Sequence, residues 1–548
     1  MDIRNIPAIE TLLACSLGLV TVEKSSFIVR LVHYTLQEHL ANNTESFPNA
    51  HSIIAEVCLT YLNFSHVRDI SPTLRSVPPT GPFVEYDSCY WGTHARLGTT
   101  ESVKTLALKL LDGYDKNRSS KVFLLRGVRA EEQPFDGEDT PRGFTGLHGA
   151  AYFGCVEIIV ALLETNKGDL QAADFHGNTA IAWASTRGHD RVVRILLEQS
   201  DINYDTLGTE YGSAPLLWVA ENGHEGVVRI LLERSDVNPN KPDENRRTLL
   251  MWASYNGHEG IVRMLLQRND INPDKPDNSL TTSLSWASLN GHNGVVKMLL
   301  ERNDVDPDKP DSRRRAPLQG ASQNGHEGIV RMLLERNDVN PNKRDRSLST
   351  PLSWASLNEH EGVVRILLER NNVNPNIPDK NRRTPLLWAS HNEHEGVVRM
   401  LLGRSGVNPD IRDKSLTTPL SWASLNGHEG VVRMLLERRD VNPEISDIPR
   451  RTPLVVASMN GYESIVRMLL ERNDVNPNHR DLLGLTPLIW ASRRGHEGVA
   501  SMLSERSDAK THKLSRWHRR LLWSLSWVGE REGRDLRMLL ECQSRQTG

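Results

Sequence analysis

Apolar and polar positions recur with one register over residues 145–507. The unit is plainest in 379–413, which reads DKNRRTPLLWASHNEHEGVVRMLLGRSGVNPDIRD. Thr384 stands before Pro385. The threonine oxygen can accept from an early helical N–H, and proline fits where no donor is needed. The pattern predicts a first helix over 385–392. Its end falls at Glu393, a position that is Gly in nine of eleven units, as at Gly257, Gly291 and Gly427. Glycine suits the left-handed residue that closes a helix. Glu359 and Glu393 are therefore expected to carry about 1 kcal/mol of backbone strain there. A second helix is predicted over 394–404, with Val397, Val398, Leu401 and Leu402 as its apolar stripe. The Asn-Pro that follows stops it, since the residue before proline avoids helical geometry. A polar loop rich in Pro, Asp and Arg leads to the next Thr.

The equivalents of Thr384 are Thr145, Thr179, Ala214, Thr248, Thr282, Ala316, Thr350, Thr418, Thr452 and Thr486, and nine of the ten intervals are 34 residues. One helix pair cannot bury both its faces, so neighbours must stack. The expectation is a mostly α solenoid of about 11–12 helix-turn-helix units.

The motif T-P-L-x-W-A-S-x-N-G-H-E-G-V-V-R-M-L-L-E-R resembles the ankyrin repeat, which implies a protein-binding array. The resemblance has departures. The His after Leu occurs only at His148, and the Gly two residues before Thr is kept at Gly143, Gly177 and Gly484, with Arg or Leu at most of the other units. The period exceeds the usual one of about 33 residues. Tetratricopeptide repeats also suit a 34-residue spacing, but their W-x-x-L-G-x-x-Y start is absent.

Ahead of the array, residues 8–17 and 34–40 read as helices, and 20–22 and 27–32 as strands. Together they suggest a small winged-helix-like module. Residues 51–63 form an amphipathic helix, and Val103, Leu106, Ala107, Leu110 and Leu111 mark another. Residues 117–142 read as an irregular linker. The segments FIVRLVHYTLQEHL, AEVCLTYLNF, FVEYDSCYWGTHAR and GFTGLHGAAYFG resemble the region after the ATPase domain in fungal NACHT proteins with C-terminal ankyrin repeats. Those are NLR-like signalling ATPases whose repeats sense a ligand. No G-x-x-x-x-G-K-S/T occurs here, so the phosphate cradle of that family is missing. The resemblance implies a chain that starts inside the winged-helix region, as a truncated product or a derivative without its motor.

Net charge is −3 and gives no global basic field. The five cysteines, at 15, 58, 89, 155 and 542, form no CxxC pair. They read as a reduced compartment, cytoplasm or nucleus. No apolar run has the length of a membrane span.

Candidate chemistry reduces mostly to packing. Trp fills one position in eight units: Trp183, Trp218, Trp252, Trp286, Trp354, Trp388, Trp422 and Trp490. The ladder reads as core filler between repeats rather than a stacking surface for ligand. Gly320 holds the same slot and predicts a local packing defect. His-Glu-Gly recurs without His-Glu-x-x-His, so no zinc-protease site is written. The repeated His is expected to bond backbone between repeats. His391 and His394 straddle a helix break without a third ligand. Asp304, Asp306 and Asp308 mimic a calcium loop, but Lys309 and Arg315 stand at its sixth and twelfth positions.

Arg246–Arg247, Arg314–Arg315, Arg382–Arg383 and Arg450–Arg451 recur every 68 residues, with Leu280, Leu348 and Leu416 between them. This stripe fits an acidic partner. It fits equally well arginines paired with neighbouring aspartates. Nucleic acid is disfavoured, because exposed aromatics are lacking and the acids oppose phosphate.

The domains expected are a winged-helix-like and helical segment (1–100), a helix and linker (101–142), the array (143–508) and a degenerate capping repeat (509–548). The function expected is a protein-interaction scaffold without catalysis, cofactor or metal. Its partner binds a concave loop and first-helix face that includes Leu289, Gln323, Leu357 and His391. The competing reading is a signalling NTPase subunit whose nucleotide domain is missing or supplied in trans. Neither membrane association nor an oligomeric state is indicated.

Overall fold

The structure is a computed structural model. It describes residues 20–23, 28–31, 50–64, 67, 84–112, 143–165, 169–174, 177–199, 215–235 and 237–506. The chain divides into two compact units, residues 1–306 and 307–548. The expected helices at 8–17 and 34–40, the linker at 117–142 and the cap at 509–548 lie outside the described residues, as do Cys15 and Cys542.

Each repeat is a short helix, a left-handed turn and a second helix. In the unit at Thr384 the first helix is Pro385–His391 and the second is Glu395–Gly403. Thr384 Oγ1 accepts from Leu387 N–H at 3.3 Å, the cap anticipated from its sequence. Glu393 closes the turn at φ 65° and Glu359 does the same at φ 62°. Both accept the left-handed conformation that glycine takes at Gly257, Gly291 and Gly427. Leu386, Leu387, Ala389, Val397, Val398 and Leu401 are buried. Each large side chain of that set contributes about 1.5–3 kcal/mol by leaving water. Leu402 is only half-buried, so the apolar stripe is narrower than its four residues suggested.

The polar loop is a tight hairpin. Asp379 N–H donates to Arg383 O and Arg382 N–H donates to Asp379 O, both at 2.9 Å. This geometry needs a left-handed residue two places before the anchor. Gly143, Gly177 and Gly484 supply it freely, with φ between 72° and 81°. Arg246, Leu280, Arg314, Leu348, Arg382, Leu416 and Arg450 supply it at φ 59–62°. Each of those costs about 1 kcal/mol relative to glycine.

In the first unit, strands β1 (Val20–Glu23) and β2 (Ile28–Leu31) pair antiparallel with Val20 opposite Leu31. Helices α1 (Ala50–Leu62), α2 (Val84–Leu97) and α3 (Glu101–Asp112) follow. They extend the core of the first repeat. The buried Trp91 ring meets Phe153 edge-on at 4.9 Å, and Cys155 Sγ donates to Gly92 O at 3.3 Å. A Cβ on Gly92 would overlap the Phe153 ring, so α2 can approach this closely only with glycine there.

Candidate functional site

The hairpin begins with an aspartate five residues before the anchor. Asp379 Oδ1 accepts from the N–H groups of Asn381 and Arg383, both at 2.8 Å. Its Oδ2 accepts the indole N–H of Trp388 at 3.2 Å. The same pair recurs as Asp174–Trp183, Asp243–Trp252, Asp277–Trp286, Asp345–Trp354, Asp413–Trp422 and Asp481–Trp490, at 2.8–3.2 Å. The tryptophans are therefore not simple core filler. All eight, Trp218 included, are half-buried, and the other seven have the indole N–H edge against the hairpin. An indole carries a donor that needs an acceptor, so it settles where the layer of first helices meets polar backbone.

The second arginine of each Arg-Arg pair is consumed by the same arrangement. Where the tryptophan slot holds Gly320 or Val456, Arg315 and Arg451 take over the vacant carboxylates of Asp311 and Asp447 at 2.9 and 2.7 Å. Where tryptophan is present, the guanidinium stacks on rings instead. Arg247 lies 5.1 Å from the Trp252 ring centroid and 5.6 Å from Trp286. Arg383 lies 4.5 Å from Trp388 and 5.4 Å from Trp422. The pairing reading of the stripe thus applies to Arg315 and Arg451, while Arg247 and Arg383 are held over rings. The first arginines, Arg246, Arg314, Arg382 and Arg450, point to solvent from the left-handed position.

Leu289, Gln323, Leu357 and His391 are half-buried rather than freely displayed. The carbonyls of Gln323, Leu357 and His391 each accept two bonds from the following repeat. For Leu357 these come from Asn392 Nδ2 at 3.2 Å and His394 Nε2 at 3.0 Å. The repeated histidine bonds backbone between repeats, as its sequence position implied. The ring of His391 lies edge-on to Trp422 at 4.5 Å. Burial, then the Arg383 charge, hold it below its ordinary pKa.

His-Glu-Gly also has a packing role. A Cβ on Gly430 would overlap the Glu395 carboxylate, which lies over the N-terminus of the next second helix. Gly260, Gly294, Gly362, Gly396 and Gly498 repeat this with the glutamate one unit earlier. An anion there complements the helix dipole. The calcium-like acids separate into different contacts. Asp304 forms a bidentate pair with Arg302 at 2.8 and 2.7 Å, which holds its carboxyl below the usual range. Asp306 N–H donates to Asp274, and Asp308 pairs with Lys343 at 3.0 Å.

A family model described as ankyrin repeats (3 copies) matches residues 95–207, 200–277, 284–379, 370–447 and 420–513. The chain belongs to the ankyrin-repeat family. The match starts inside α2, well before the first anchor, so the ankyrin-like sequence reaches into the helices that cover the first repeat. The departures from the ankyrin motif have local explanations. His148 does what its motif position implies: its Nδ1 accepts from Thr145 N–H at 3.0 Å and its Nε2 reaches Asn178 O at 3.1 Å. In the Ala316 repeat, Gln319 substitutes for that histidine. It accepts from Ala316 N–H at 2.6 Å and donates to Lys343 O and Ser349 O. Among the described residues no helix is long and apolar enough to cross a membrane.

Sequence reading passed over the aspartate, although it stands five residues before every anchor from Thr248 on. That regularity was the available signal. Its partner nine residues away becomes evident only once the hairpin folds back on the first helix.

Proposed function

We propose that this chain is a non-catalytic protein-recognition scaffold, holding its partner on the hairpin tips and adjoining first-helix side chains. Ankyrin repeats imply protein partners. The observation that carries the choice of face is the row of non-glycine residues at φ near 60° on the tips. Strained positions that keep large side chains in solvent mark functional surface. The tips are also set in advance of binding. Lys380 N–H donates to Ser347 O at 2.7 Å and Lys414 N–H to Asn381 O at 2.9 Å, linking each tip to the next. Less order then remains to be imposed by a partner.

Photo-crosslinking tests this. Crosslinkers at Ser347 and Asn381 on the tips, and at Arg365 and Arg399 on exposed second-helix positions, are compared in extract from the source cells. Saturable protein adducts from the tips alone support the reading. Adducts from the second helices alone, or none from either, overturn it.

The second reading makes the same face the sensor of an NLR-like assembly that works with a nucleotide-binding domain. What supports it is the antiparallel pair β1–β2 within the expected winged-helix-like segment, together with the resemblance of residues 1–180. Nucleotide-dependent co-purification of a P-loop ATPase with the full chain is its expected outcome, and recovery of the chain free of any ATPase counts against it.

A further inference from the structure

The charge on the tips is not spread evenly along the array. In the second unit, five consecutive tips are residues 312–314, 346–348, 380–382, 414–416 and 448–450. Arg313 and Arg314 occupy one, Arg346 the next, then Lys380 and Arg382, then Lys414, then Arg450. No acidic side chain stands on these five tips, and all seven cations are exposed. The aspartates at their bases are buried and already engaged by backbone, indole or arginine. The two fully described tips nearest the anchors Thr248 and Thr282, residues 244–246 and 278–280, differ. Glu244 offsets Arg246 there, and the second tip is uncharged.

Apolar side chains are set among the cations. Leu348 is 37% exposed and Ile448 is 59% exposed, although nothing in the hairpin requires an apolar residue in solvent. The five tips are joined by backbone bonds: Arg346 N–H to Arg313 O, Lys380 to Ser347, Lys414 to Asn381 and Ile448 to Ser415, at 2.7–3.1 Å. They form one fixed strip in a chain whose net charge is −3.

We propose that this strip, residues 312–450, binds an extended acidic protein segment that carries apolar residues between its carboxylates. The proposal rests on the recognition reading above and gives it a partner chemistry. Helices pack at about 10 Å, so adjacent tips stand about three extended residues apart, and the strip spans about twelve. Carboxylates at about every third position then meet successive cations. Their spacing is close to the Debye length of about 8–10 Å, so the cations act together and the binding is salt-sensitive. A nucleic acid suits the strip less well. Leu348 and Ile448 offer phosphate nothing, and the tryptophans that could stack bases are covered by hairpin and arginine.

The test uses the full chain and a fluorescent synthetic peptide of fifteen residues, with Glu at every third position and Leu in between. Fluorescence anisotropy should show saturable binding that weakens about tenfold in the triple variant R313E/R382E/K414E. R246E, on a tip outside the strip, should change it less than about twofold. L348S/I448S should weaken the peptide about fivefold and leave binding of a 20-base-pair DNA duplex unchanged. Should the triple glutamate variant fail to fold by circular dichroism, R313Q/R382Q/K414Q must weaken binding in the same direction. Absence of saturable peptide binding overturns the proposal, as does equal loss in R246E. DNA binding as tight as the peptide's and indifferent to L348S/I448S reassigns the strip to nucleic acid and also overturns it. Tip crosslinking that persists while the peptide fails leaves the recognition reading standing and removes only the acidic partner.

Discussion

The indole N–H of Trp354 donates to Asp345 Oδ2 at 2.9 Å, while Oδ1 of the same buried carboxylate accepts from Ser349 N–H at 2.9 Å. One aspartate thereby shapes the hairpin and fastens it to the first helix. Where Gly320 and Val456 replace the tryptophan, an arginine four residues after the aspartate completes the carboxylate instead.

Removing the carboxylate should be costly because it strands more than one donor. Asp345→Ala is expected to lower unfolding free energy by about 2–4 kcal/mol, the cost of orphaned buried donors. Asp345→Ala combined with Trp354→Phe should cost less than the two single changes summed, since each removes the same bond. Urea denaturation of the four proteins checks this. Strict additivity would show that the bond carries no coupling.

Glu359 and Glu393 hold a conformation that glycine adopts without strain. Glu359→Gly and Glu393→Gly should each raise stability by about 1 kcal/mol. The opposing effect is loss of contacts to His394 and His428 at 3.4 and 3.3 Å. These carboxylates are more than half exposed, so those pairs contribute little and the backbone effect wins. A fall in thermal midpoint on either substitution would reverse that ranking.

On the tips the same backbone relief should carry a functional loss. Leu348→Gly and Arg382→Gly sit at φ 59° and 62° and should each stabilise by about 1 kcal/mol. Each also removes a side chain from the proposed binding strip, so affinity for the acidic peptide should drop while the midpoint rises. Parallel calorimetry and anisotropy separate the two quantities. Unchanged affinity would mean that the tips are strained for some other reason.

The N-terminal helices should show a pH response of their own. Burial, partly opposed by a hydrogen bond with Cys58, raises the Asp87 pKa to about 6. An unfolded aspartate titrates near 4. The native state therefore keeps its proton over a window in which the unfolded state has lost it. Stability from this group is complete below pH about 4 and is lost as pH rises through about 6. The difference amounts to about 3 kcal/mol. Hydrogen exchange across α1 and α2 should be slower at pH 5 than at pH 8 after correction for intrinsic rates. Asp87→Asn should abolish that difference.

The repeat, its two helices, the threonine caps, the glycine turn with its two glutamate exceptions, and the histidine bonds between neighbours are all legible in the order of residues alone. These follow from local chemistry. A 3.6-residue apolar period, a cap or a left-handed position is written within a few residues of where it acts, and a 34-residue period repeats the message. Which polar side chains are spent inside the molecule, and which are left over, depends on how the repeats fold and stack. Asp379 meets Trp388 because the hairpin folds back onto the helix it precedes. Arg383 is enclosed by Trp388 and Trp422, which come together only when two repeats stack. Arg382, its neighbour in sequence, remains in solvent because the left-handed turn directs it outward. Charge counted along the chain cannot separate those two arginines, since their difference lies in contacts formed across repeats.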